Sequence, residues 1–100
     1  MVKHIILWKF KPEFSESEKA KIKENAKREL ENLVGKVPGL IAIKLNINGL
    51  NSSNADMMLV STLESAEALK EYQKHPDHIA AADNFVRPFT EQRLCLDFED

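Results

Sequence analysis

Cysteine is nearly absent from this chain. The one thiol among its 100 residues, Cys95, excludes an internal disulfide and any zinc site built from several cysteines. Flanked by Leu94 and Leu96, it reads as a small core hydrophobe. An excess of charge of either sign is also missing, since 14 Lys and Arg stand against 16 Asp and Glu. The two signs are interspersed, whereas binding a polyanion needs clustered cationic side chains, so nucleic acid is not an expected partner. Even the most basic stretch, KAKIKENAKRELEN, alternates in sign along a helical pattern and reads as a solvated helix face. No run approaches the roughly 18 apolar residues of a membrane span. The opening VKHIILWKF carries Lys3, His4 and Lys9 and no small-residue cleavage site, so it does not read as a signal peptide and a cytoplasmic location is the expectation. Asn51-Ser52-Ser53 matches a glycosylation sequon, which without a secretory signal reads as chance.

What is present is an ordinary globular composition, 43% hydrophobic and 30% charged, in a length that makes one domain of residues 1–100. Val2 to Lys11 is rich in β-formers, stops at Pro12, and predicts a first strand. His4, Ile6, Trp8 and Phe10 share one face of it; Ile5 and Leu7 lie on the other. Ser15 with Glu18 forms a capping-box signature, and Ile22, Ala26, Leu30, Leu33 and Val34 recur at helical spacing until Gly35, placed to close the helix. Ile41, Ile43, Leu45 and Ile47 then alternate with Ala42, Lys44, Asn46 and Asn48 as a one-sided strand. The turn-rich NGLNSSNAD joins it to a third strand, with Met57, Leu59, Ser61 and Leu63 on one face and Met58, Val60 and Thr62 on the other. Ser65 predicts the cap of a helix whose apolar line is Ala66, Leu69 and Tyr72. Pro76 should end that helix at His75, and Asp77 is placed to cap a short further helix carrying Ile79, Ala82 and Phe85 or Val86. Pro88 limits that helix, and EQRLCLDF predicts a fourth strand.

This order, βαββαβ, implies an α+β ferredoxin-like domain in which two helices pack on one face of a four-stranded antiparallel sheet of strand order 4-1-3-2. The helices can cover only one face, yet the first and third strands are apolar on both. Burying a Leu or Ile side chain contributes about 1.5–3 kcal/mol, so Ile5, Leu7, Met58 and Val60 need another cover. A second copy stacked sheet on sheet supplies it, and the expected partner is the chain itself, as a homodimer with a barrel-like core.

The stretch EYQKHPDH gathers Tyr72, His75 and His78, the only tyrosine and two of the three histidines. His75 and His78 have helical spacing for a metal clip, but Pro76 breaks the helix between them and no further His or Cys lies nearby, so no metal site is expected. Together with MVKHIILWKFK, VPGL, GLNSS, ADMMLVSTLESAEAL and LCLDF, this stretch resembles the stress-responsive dimeric α/β-barrel (Dabb) family over essentially the whole chain. Within it the resemblance extends to the olivetolic acid cyclase-like polyketide cyclases, which close a linear polyketide by an intramolecular aldol reaction. The resemblance implies catalytic positions at Tyr72 and His78, a pocket histidine at His4, and at Asp97 a carboxylate that orients the catalytic histidine. For some members it also implies a hard cation held by backbone oxygens, which would fall around Val34, Val37 and Leu40; no other cofactor is implied.

The residues support chemistry of that kind. A neutral histidine can take a proton near neutral pH, so His78 reads as a general base, with Asp97 fixing its tautomer and Tyr72 donating to a carbonyl oxygen that becomes anionic. His4, Ile6, Trp8 and Leu59 are the expected lining of an apolar pocket. Equally, Tyr72 can be a core residue whose hydroxyl reaches the surface, His75 a solvent-facing helix end, His4 a satisfied core histidine, and His78 with Asp97 a structural pair pinning the last helix to the sheet. Trp8 and Met57 depart from the cyclase pattern, and a long alkyl polyketide would fit poorly beside Trp8. Two readings follow: a dimer that binds a small carbonyl-containing molecule without turnover, and a lyase or cyclase-type enzyme using His78 and Tyr72. A third, weaker reading is the monooxygenase activity of related dimeric barrels.

Overall fold

The computed structural model describes residues 1–100. Strand β1 (Val2–Phe10) is followed by helix α1 (Glu16–Glu31), strands β2 (Leu40–Asn46) and β3 (Met57–Leu63), helices α2 (Ala66–Lys74) and α3 (Pro76–Phe85), a 3-10 turn (Arg87–Phe89) and strand β4 (Thr90–Glu99). The four strands form one antiparallel sheet in the order β2-β3-β1-β4, the expected ferredoxin-like arrangement.

Local chemistry accounts for most of the boundaries. The Glu18 N–H donates to Ser15 Oγ at 3.2 Å and the Ser15 N–H donates to Glu18 Oε1 at 2.8 Å, a complete capping box that starts α1. Ile22, Ala26 and Leu30 form its buried stripe. The helix ends at Glu31, earlier than Gly35 suggests, because Leu33 turns back into the core. The Leu33 carbonyl accepts from the N–H groups of Lys36 and Val37 in a separate turn, and Val34 is left exposed. Gly39, with φ +83°, brings the start of β2 against α2, where an added Cβ would come within 2.7 Å of Ala68 Cβ.

Three expectations are corrected here. The pairing of β2 with β3 is irregular between Leu40 and Ala42, so Leu40 takes the buried place and Ile41 is exposed. Alternation read from Ile41 onward has no signal for that bulge. At the hinge, His75 rather than Asp77 caps α3: Pro76 holds His75 extended (φ −64°, ψ 133°), and its Nδ1 accepts from the Asp77 N–H at 3.1 Å. His75 also ends α2, donating its own N–H to the Tyr72 carbonyl at 3.1 Å. Finally, α3 buries Ala81 and Ala82 while Ile79 is exposed, because small side chains let α3 lie close against α1.

All helices lie on the face of β1 that bears Val2, His4, Ile6, Trp8 and Phe10, which are all buried. On the opposite face the register aligns Leu7 with Met58 and Leu94, Ile5 with Val60 and Leu96, and Lys3 with Phe98. Nothing in the chain covers this stripe, and Leu94, Leu96 and Phe98 are 71%, 65% and 42% exposed.

Candidate functional site

The first site residues come from β1, whose period of two sends His4, Ile6 and Trp8 into the layer between sheet and helices. Helix α2 contributes Tyr72, completely buried on its apolar face, and the His75–Pro76 stop turns the chain so that His78, in the first turn of α3, meets it. The Tyr72 and His78 ring centroids are 4.2 Å apart, and the His4 ring stands edge-on to Tyr72 at 6.0 Å. The structure thus brings His4, Tyr72 and His78 into one aromatic cluster.

Asp97 joins the cluster through a different histidine from the one expected. It sits directly opposite His4 in the β1–β4 ladder, and its Oδ1 pairs with His4 Nδ1 in a short hydrogen bond. His78 is on another element and has no carboxylate partner. Nor does the Tyr72 hydroxyl reach the surface. It is buried beside the Ser61 hydroxyl, which acts on it as a weak hydrogen-bond neighbour, as the Gln73 backbone does on His78, but neither oxygen, nor His78 Nδ1, has a partner at regular hydrogen-bond geometry. A buried polar group left unpaired costs about 1–3 kcal/mol, so three in one cluster mark a place not optimised for stability alone.

Burial governs the electrostatics. It pushes the His78 ring down to about 4, with the cationic Arg87 and Arg93 and the nearby His4 acting in the same direction and the Gln73 backbone opposing. His78 is therefore neutral at physiological pH. Burial also raises the Tyr72 hydroxyl well above the ordinary tyrosine range, so it is a hydrogen-bond donor and not a phenolate.

A cavity of about 230 Å³ opens between β1, β4 and α3, with Ile6, Trp8, His78, Val86, Arg87 and Arg93 on its walls. Of the expected lining, Ile6 and Trp8 are on it, while His4 and Leu59 lie deeper in the core, both 1% exposed. A larger cavity of about 400 Å³ lies between α1 and the Phe85–Phe89 segment, but its only charged groups are Glu18, already used in a helix cap, and Lys21. Of the aromatic cluster, His78 borders the smaller one.

Sequence reasoning missed Ser61, Arg87, Arg93 and Cys95. Alternation on β4 could have found two of them, because Arg93, Cys95 and Asp97 share the face that meets Trp8, Ile6 and His4. Cys95 is exposed and not part of the core, since β4 is the sheet edge and the helices do not extend over it. At the turn where a backbone-held cation was expected, the Val37 carbonyl accepts from the Leu40 N–H at 3.2 Å and keeps a second lone pair.

A four-stranded antiparallel sheet of order β2-β3-β1-β4 with its helices on one face defines the class of ferredoxin-like α+β domains. The model of one such family, the Stress responsive A/B Barrel Domain (Dabb), matches residues 2–100, and the chain belongs to that family. It is 31% identical over 100 residues to the olivetolic acid cyclase of Cannabis sativa, an alignment covering 97% of this chain and 94% of the cyclase. Among solved structures it is similar to a dimeric protein of unknown function and ferredoxin-like fold from Bacteroides fragilis, at 28% identity and TM-score 0.92, covering 99% of this chain and 95% of that one. A dimeric ferredoxin-like protein of unknown function from Thermobifida fusca is 26% identical with TM-score 0.80, covering 97% and 88%. No helix is long and apolar enough to cross a membrane.

Proposed function

We propose that the protein is a homodimer in which each protomer binds a small carbonyl-containing molecule in the cavity at His78. One observation carries the site: a neutral, half-buried histidine forms part of a cavity wall, with the buried Tyr72 ring packed behind it. The N–H of a neutral imidazole suits a carbonyl ligand, which accepts hydrogen bonds and brings no charge to desolvate. The volume, about 230 Å³, is below the roughly 300–1,000 Å³ of drug-sized sites. With Trp8 on the wall, the ligand is short, and polyketide cyclisation is not proposed.

A second reading is favoured by the 31% identity to the cyclase: proton abstraction next to a carbonyl. His78 takes the proton from carbon, the electron pair moves onto the carbonyl oxygen, and Tyr72 donates a hydrogen bond to the resulting enolate. A histidine held near 4 is a weak base, so the carbon acid must itself be activated, as between two carbonyls. Binding stands first because Tyr72 is not on the cavity wall.

The dimer rests on the uncovered stripe of Leu7, Met58, Leu94, Ile5, Val60, Leu96 and Phe98, one apolar face shared by three strands. It is consistent with the dimeric state of the Bacteroides fragilis and Thermobifida fusca proteins.

The ligand test is a thermal-shift panel of β-diketones, keto acids and short aldehydes on wild type and His78→Ala. Binding to the folded state adds stability, about 2.7 kcal/mol at a hundred times Kd, so a true ligand class raises the Tm of wild type alone. If every hit stabilises both proteins equally, the site is wrong. Deuterium exchange at the carbon between the carbonyls of a β-diketone hit then separates the readings: exchange that His78→Ala abolishes supports the enzyme, and binding without exchange removes it.

A further inference from the structure

We propose that His4, Cys95 and Asp97 form a three-ligand site for a borderline divalent transition cation, with zinc the best match. The histidine pair suggested by sequence spacing is not involved. The ladder makes the site: Asp97 is directly opposite His4, and Cys95, two residues earlier on β4, projects from the same face of the strand. One ligand atom from each residue, His4 Nδ1, Cys95 Sγ and an Asp97 carboxylate oxygen, lies within 4.8 Å of the other two.

The spacing fits a tetrahedral ion. Zinc–ligand bonds of about 2.3 Å to sulfur and about 2.0–2.2 Å to nitrogen or oxygen put sulfur roughly 3.5 Å from each of the other two ligands. Cys95 Sγ is 3.7 Å from His4 Nδ1 and 3.4 Å from Asp97 Oδ1. Only the hydrogen-bonded His4–Asp97 pair must widen to admit the ion. Asp97 can move, being 37% exposed on an edge strand, whereas His4 is fixed in the core.

The donor set also selects the ion. One thiolate, one imidazole and one carboxylate suit zinc and its neighbours and disfavour magnesium and calcium, which prefer oxygen ligands alone. Three protein ligands on an open strand leave a fourth position to water, the pattern of reactive zinc sites rather than closed structural ones. Arg93, next along the same face, brings a positive charge that works against the ion, while the anionic Asp97 and the thiolate formed on binding offset it. Binding transfers the Cys95 proton to solvent. The site does not depend on the ligand reading for His78.

Cobalt(II) is the probe, added to the full-length protein with its thiol kept reduced. Wild type is expected to show thiolate-to-cobalt charge-transfer absorption in the near ultraviolet and to bind one Zn²⁺ per chain by calorimetry. Cys95→Ser should abolish the band, and Asp97→Asn should weaken Zn²⁺ binding roughly tenfold or more. Both residues are exposed, so an unchanged Tm without metal will show that the fold is intact. Absence of the band in wild type, equal affinity in Asp97→Asn, or one metal shared by two chains would overturn the proposal.

Discussion

Replacing Tyr72 by phenylalanine discriminates between two pictures of the site by the sign of the stability change. Tyr72 and Ser61 are both 0% exposed, and neither hydroxyl has a hydrogen-bond partner. If the pair is unbonded, as the geometry has it, Tyr72→Phe removes one unpaired buried hydroxyl and keeps the ring against His78 and His4. Relief of about 1 kcal/mol is expected, at the low end of the cost of an unpaired group. In a domain of this size that raises Tm by about 4–8 °C. If the two hydroxyls were in fact bonded, the same change would strand Ser61 and destabilise by about 1–3 kcal/mol. Urea denaturation of wild type, Tyr72→Phe, Ser61→Ala and the double variant closes a cycle, with an expected coupling energy near zero. A destabilised Tyr72→Phe, or a coupling above roughly 0.5 kcal/mol, would refute the reasoning about orphaned hydroxyls.

Two further outcomes are expected. His78 is held at about 4 in the folded protein against an ordinary value near 6.5, so below that value the unfolded chain binds the extra proton. Its contribution is therefore fully present above pH 6.5 and lost as pH falls towards 4, by about 3 kcal/mol as a ceiling for a half-buried ring. Stability curves from pH 7.5 to 4 should be visibly flatter for His78→Gln than for wild type; parallel curves would mean that the ring is solvated. On the open sheet face, Leu94→Lys with Leu96→Lys would change stability by less than roughly 0.5 kcal/mol each in a true monomer. Light scattering should instead report a dimer mass for wild type and a monomer mass for the double variant, with a lowered Tm; a wild-type monomer in dilute solution contradicts the burial argument.

Most of the architecture was legible along the chain because its causes are local. Ser15 with Glu18, and Ser65, cap the helices they were expected to cap, and the Pro76 ring stops α2 at His75, because these interactions span only a few residues. Strand alternation likewise placed His4, Ile6 and Trp8 towards the helices and left Ile5 and Leu7 on the other side. Where a neighbour of the same type competed, local pattern failed: Ile41 and Leu40 look alike in sequence, and a bulge in pairing with β3 chose Leu40.

The sequence by itself determined the βαββαβ order, the strand faces and the meeting of Tyr72 with the turn that carries His78, because periodicity and a proline act through neighbouring peptide units. Only the tertiary structure decided which histidine Asp97 holds, that Cys95 joins them in the open, and that Tyr72 is sealed from the surface. Those contacts span more than 90 residues of chain between His4 and β4, and are set by which strand lies at the edge of the sheet and how far the helices reach across it. Side-chain pattern carries the face on which a residue stands; the assembled layers determine what stands opposite it.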